Sequence, residues 1–63
     1  MNAYATMRKL IENLNRRYDE GRCNQQEYTQ TAATYSKRLD VFFGVGRITD
    51  EQYSELMSSF KTF

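Results

Sequence analysis

Met7, Leu10, Ile11, Leu14 and Tyr18 recur at steps of three and four residues, the spacing that gathers side chains on one face of an α-helix. Lys9, Glu12, Asn13 and Arg16 fall on the other side, so the pattern predicts an amphipathic helix over residues 3–20. Tyr28, Ala32, Tyr35, Leu39 and Phe42 then step by four, three, four and three, a heptad rhythm held for about two heptads. That length suits a bundle helix over 25–43 better than a long coiled coil. Tyr53, Leu56, Met57, Phe60 and Phe63 share a third face and predict a shorter helix over 50–62. No run alternates apolar and polar residues as a half-buried strand would, and the expected class is all-α.

The connections are as informative as the helices. "GRCNQQEY", residues 21–28, returns 25 positions later as "GRITDEQY", residues 46–53. Each copy begins with a glycine, Gly21 or Gly46, placed to take the left-handed conformation that ends many helices, and Gly44 accompanies the second. Each copy then carries a helix start. Asn24 as N-cap puts Glu27 at N3, and Thr49 puts Gln52 there, so both starts have the composition of a capping box. The residue before each cap, Cys23 or Ile48, is apolar, and Tyr28 or Tyr53 stands at N4 to close over it as a hydrophobic staple.

The same offset pairs Leu14 with Leu39, Tyr18 with Phe43 and Tyr35 with Phe60. The repeating unit is therefore a helical hairpin, and the middle helix serves both copies. A small three-helix bundle built from two overlapping antiparallel hairpins follows, as a single domain over 1–63, because short connections make consecutive helices antiparallel. "TAAT", residues 31–34, sets small side chains midway along the shared helix, where neighbours can approach closely.

"GRITDEQYSELMSSF" resembles the short C-terminal domain family, SHOCT: a glycine turn, an apolar–threonine cap, acidic residues, an aromatic, and an amphipathic helix. "GRCNQQEYTQTAATY" is a looser second match, and together they reach across most of residues 10–60. The resemblance implies a helical appendage that mediates oligomerisation or protein interaction, and it brings no catalytic residues with it.

Sixty-three residues leave little room for a core. A chain of that size hides only about 60% of the surface it exposes when unfolded. One cysteine cannot close an internal disulfide, and without histidine or a second thiol it cannot anchor zinc, so neither metal nor cofactor is expected. Nine basic and eight acidic side chains leave a net charge of +1, too little for a global pull toward nucleic acid or an anionic membrane. No apolar run approaches a membrane span and the N-terminus lacks a signal-peptide core, so a cytoplasmic protein is expected.

Catalysis is the poorest fit. The commonest general base is missing, and Cys23 is explained by the staple. Asp50, Glu51 and Glu55 sit where acids complement the dipole at a helix start. Asp19 and Glu20 lie near a helix end, where pairing with Arg16 or Arg22 is the expected compensation. Lys9, Asn13, Arg16 and Arg17 form a basic face suited to phosphates, with Lys37 and Arg38 adding charge, which makes a small DNA-binding regulator the alternative reading. The three acids opening the third helix would repel phosphate from it. Five tyrosines and four phenylalanines are many for so short a helical chain, and aromatics with methionine favour interface cores. Tyr4, Phe43, Phe60 and Phe63, at helix ends or beside the turns, are the expected interface residues of a protein-interaction module, with a homodimer as its expected form.

Overall fold

A computed structural model describes residues 2–63 and shows three helices, each in contact with the other two: α1 (Ala3–Asp19), α2 (Gln25–Gly44) and α3 (Asp50–Ser58). Among the described residues there is no strand. The 20 residues of α2 account for about 30 Å of helix, close to the molecule's 34 Å long axis. Residues at the two ends of α2 are thus at opposite ends of the protein.

Both expected turns form, and they match bond for bond. Gly21 (φ 74°) and Gly46 (φ 78°) occupy the left-handed region. The Gly21 N–H donates to the Tyr18 carbonyl at 3.0 Å and the Arg22 N–H to the Arg17 carbonyl at 2.8 Å. In the second turn the Gly46 N–H donates to Phe43 at 3.1 Å and the Arg47 N–H to Phe42 at 2.8 Å. These are two Schellman motifs, each satisfying carbonyls that the helix end leaves without partners. Both capping boxes are complete: the Glu27 N–H reaches Asn24 Oδ1 at 2.8 Å and the Gln52 N–H reaches Thr49 Oγ1 at 3.1 Å, with the reciprocal bonds at 2.9 and 3.0 Å. Asn2 caps α1 in a simpler way, accepting from the Ala5 N–H at 2.7 Å.

The repeat goes further than the turns. The Tyr28 hydroxyl donates back to Asn15 Oδ1 at 2.5 Å, and the Tyr53 hydroxyl donates back to the Asp40 carboxylate. Asn15 and Asp40 are themselves one offset apart, so each hairpin is tied by the same tyrosine to the same place on its entry helix. The rings repeat as well: Tyr18 meets Tyr28 edge-on with centroids 5.5 Å apart, and Phe43 stacks on Tyr53 at 4.9 Å.

The main core cluster is Met7 and Ile11 of α1, Leu39 of α2, Ile48 of the second turn and Leu56 of α3, with Leu10, Tyr35, Phe42 and Tyr53 packed around it. Leu14 and Tyr28 are equally buried. Ile48 buries as a staple residue should, whereas Cys23 is half-buried. Within "TAAT", Thr31 and Ala32 are half-buried and Ala33 and Thr34 face solvent, so close approach is confined to the first two.

The third helix is shorter than its periodicity predicts, ending at Ser58 rather than residue 62. Its last carbonyls are met locally by Ser59, and the segment beyond is held by bonds from elsewhere in the fold. Ser59 closes a tight turn through its N–H to the Leu56 carbonyl (3.1 Å), and its own carbonyl accepts from Asn15 Nδ2 (2.9 Å). The Lys61 N–H then donates to the Tyr28 hydroxyl at 2.7 Å, and the Phe63 ring lies 5.0 Å from Tyr18 and 5.3 Å from Tyr28. The segment after α3 therefore caps the aromatic pair of the first hairpin.

Candidate functional site

The four aromatic interface candidates do not form one surface. Tyr4 and Phe60 are half-buried against the core cluster, and the Tyr4 hydroxyl donates to the Glu55 carboxylate. Phe63 is 57% exposed but is committed to the Tyr18–Tyr28 pair at one end of α2. Phe43 is 41% exposed at the other end, one face occupied by Tyr53. The expectation of a shared aromatic patch is thus corrected: two of the four pack inward, and the remaining two are separated by most of the length of α2.

Among the described residues the most exposed large apolar side chains are instead Val41 (61%) and Val45 (64%). Four residues apart, they lie one above the other on a single face of the α2 C-terminal end. Steps of 100° per residue put that face away from Leu39, so the valines point outward, in line with Lys37 and Arg38. Lys37, Arg38, Val41 and Phe42 border a shallow depression of about 220 Å³ there. Periodicity alone passes over these valines because neither lies on the core stripe. An apolar residue out of phase with its helix is itself the signal that finds them.

The basic candidates are brought together more closely. Asn13, Arg16 and Arg17 border a groove of about 480 Å³ between α1 and α2, joined by Arg22, by Leu10 and Tyr35, and by Glu20. Lys9 lies outside it, on an adjoining depression that shares Leu10 and Asn13. Among the described residues the ion pairs are Arg8–Glu12 (3.0 Å), Arg22–Glu20 (2.7 Å) and Lys61–Asp19 (2.8 Å). Glu20 thus finds Arg22 as expected, while Asp19 takes Lys61 of the returning C-terminal segment. Among the described residues Arg16 and Arg17 have no carboxylate partner. They sit in the last turn of α1, where positive charge also complements the helix dipole.

Two tyrosines have perturbed ionisation. The hydrogen bond to Glu55 holds the Tyr4 phenol above the usual tyrosine value, and the bond to Asp40 does the same for Tyr53. In each case the protonated phenol is the donor a carboxylate needs, and a phenolate beside it would be repelled. Lys61 is raised in turn by its bond to Asp19. No helix among the described residues is long and apolar enough to cross a membrane.

Comparison with family models, with characterised proteins and with solved structures returned no match.

Proposed function

We propose that this protein is a small non-catalytic interaction module that pairs with a second copy of itself through the outward face of α2. The observation that carries the reading is the exposure of Val41 and Val45 on one face, at positions where a helix serving only its own bundle would place polar groups. A second copy is the occupant best suited to the surrounding charges. If two α2 helices cross antiparallel about Val41 and Val45, Lys37 and Arg38 of each copy come alongside the Gly46–Glu51 end of the other. Asp50 and Glu51 lie there, exposed. The contact is isologous and closes at two copies.

Sedimentation equilibrium over a hundredfold range of concentration tests it, comparing the native chain with Val41→Lys/Val45→Lys. The native chain should dimerise, more weakly as salt rises because the exposed Lys37 and Arg38 contacts with Asp50 and Glu51 are screened, and the doubly substituted chain should stay monomeric with an unchanged helical circular dichroism spectrum. A native chain that stays monomeric throughout, or a substituted chain that dimerises as well as the native one, would overturn the proposal.

A further inference from the structure

The groove between α1 and α2 lies apart from the valine face and has a different chemistry. Arg16, Arg17 and Arg22 all border it, and only Arg22 is neutralised, by Glu20 at 2.7 Å. The other acids of α1 are engaged elsewhere, Glu12 by Arg8 and Asp19 by Lys61. This leaves two guanidinium groups without a carboxylate beside a concave surface. Guanidinium groups present a planar fork of donors suited to phosphate oxygens, and Asn13 adds an amide able to donate or accept. Tyr35 and Leu10, both half-buried, supply an apolar surface in the same groove. A volume of about 480 Å³ falls within the range of small-ligand clefts, about 300–1,000 Å³.

We infer that this groove is a binding site for a nucleoside phosphate, with the phosphate held by Arg16 and Arg17 and the base laid against Tyr35. A bare anion would use the arginines and leave the aromatic surface wet. An apolar ligand would leave the guanidinium groups without partners. A phosphate joined to a flat heteroaromatic ring satisfies both halves, and such units come either as free nucleotides or as links of a single strand. Glu20 acts against the ligand, because its carboxylate ties up Arg22 and adds negative charge at the rim. The inference does not depend on pairing through α2, whose Val41 borders a different depression.

The test is an amide and guanidinium NMR titration of the full 63-residue chain, with adenosine monophosphate, a six-nucleotide oligothymidylate and inorganic phosphate as separate probes. Shifts should concentrate on Asn13, Arg16, Arg17, Arg22 and Tyr35. Arg16→Ala/Arg17→Ala should weaken binding at least tenfold, and the same spectra show whether that variant is folded. Glu20→Gln should strengthen binding severalfold, an outcome that a structural role for Arg22 alone would not produce. Saturation by the mononucleotide identifies a free nucleotide as sufficient. Binding by the oligonucleotide alone, with an affinity that falls as salt rises, identifies a single strand. Three results overturn the inference: no saturable shift with either nucleotide probe, inorganic phosphate binding as tightly as both, or binding unaltered in the double arginine variant.

Discussion

Gly44 and Gly46 stand two residues apart at the end of α2, and one added methyl group should act on them in opposite directions. Gly46 has φ 78°, where an L-residue pays for its Cβ, and a Cβ built there meets nothing within 4 Å. The cost of Gly46→Ala is therefore conformational rather than steric, about 1–2 kcal/mol. The alanine's smaller entropy in the unfolded chain offsets only part of it. Gly44 is the last residue of α2, without positive φ, and is equally open. Alanine there should stabilise by about 0.5–1 kcal/mol, the ordinary helical advantage over glycine. In a domain this small each kilocalorie moves Tm by about 4–8 °C, so the two variants should bracket the native chain and differ by about 6–24 °C. Thermal and urea denaturation followed by circular dichroism measure this, and Gly21→Ala should track Gly46→Ala because its φ of 74° and open surroundings are the same. Equal effects at 44 and 46, or a silent Gly46→Ala, would refute the assignment of the Schellman turns as the elements that end α1 and α2.

Removing either cap, Asn24→Ala or Thr49→Ala, should cost about 1 kcal/mol by denaturation, since each side chain satisfies an amide left open at a helix start. Tyr28→Phe should cost about 1–3 kcal/mol by the same measure, because the hydroxyl both donates to Asn15 and accepts from the Lys61 amide, and loosened Phe63 resonances should accompany the loss. Tyr4 and Tyr53 are both held above the ordinary tyrosine value of 10.0, so their contribution to stability is complete below that pH and is lost as pH rises through their higher folded values. An absorbance titration of the phenolates should show them ionising later than a free tyrosine, and Glu55→Gln should return Tyr4 toward the ordinary value.

The architecture is largely legible in the sequence because its punctuation is local. Glycine at positive φ, the Asn24–Glu27 and Thr49–Gln52 boxes and the 25-residue offset are all satisfied by neighbours within a turn or two, so the residues that specify them stand together. The end of α3 is different. Phe60 and Phe63 keep the phase of Tyr53 and Leu56, yet the helix stops at Ser58, where Ser59 turns its N–H onto the Leu56 carbonyl and its hydroxyl onto the Glu55 carbonyl, and the segment beyond is held by bonds from Asn15 and to Tyr28, 44 and 33 residues away. No local pattern contains them. The Asn15 and Asp40 tethers to the repeated tyrosines are visible only once the offset is applied to polar positions as well as apolar ones. For the candidate surfaces, the basic face placed Asn13, Arg16 and Arg17 together, but the contributions of Arg22 and Tyr35 depend on how α2 returns along α1. Aromatic content was a poor guide to exposure, since Tyr4 and Phe60 pack inward while the smaller Val41 and Val45 do not.

The pairing of two copies through α2 is tested most directly by isotope-filtered nuclear Overhauser measurements on a mixture of labelled and unlabelled chains. At a concentration where the dimer is populated, intermolecular contacts should join the methyl groups of Val41 and Val45 to those of the second copy, with weaker contacts linking Lys37 and Arg38 to the Gly46–Glu51 end. Intermolecular contacts confined to other surfaces, or none at millimolar protein, would contradict it.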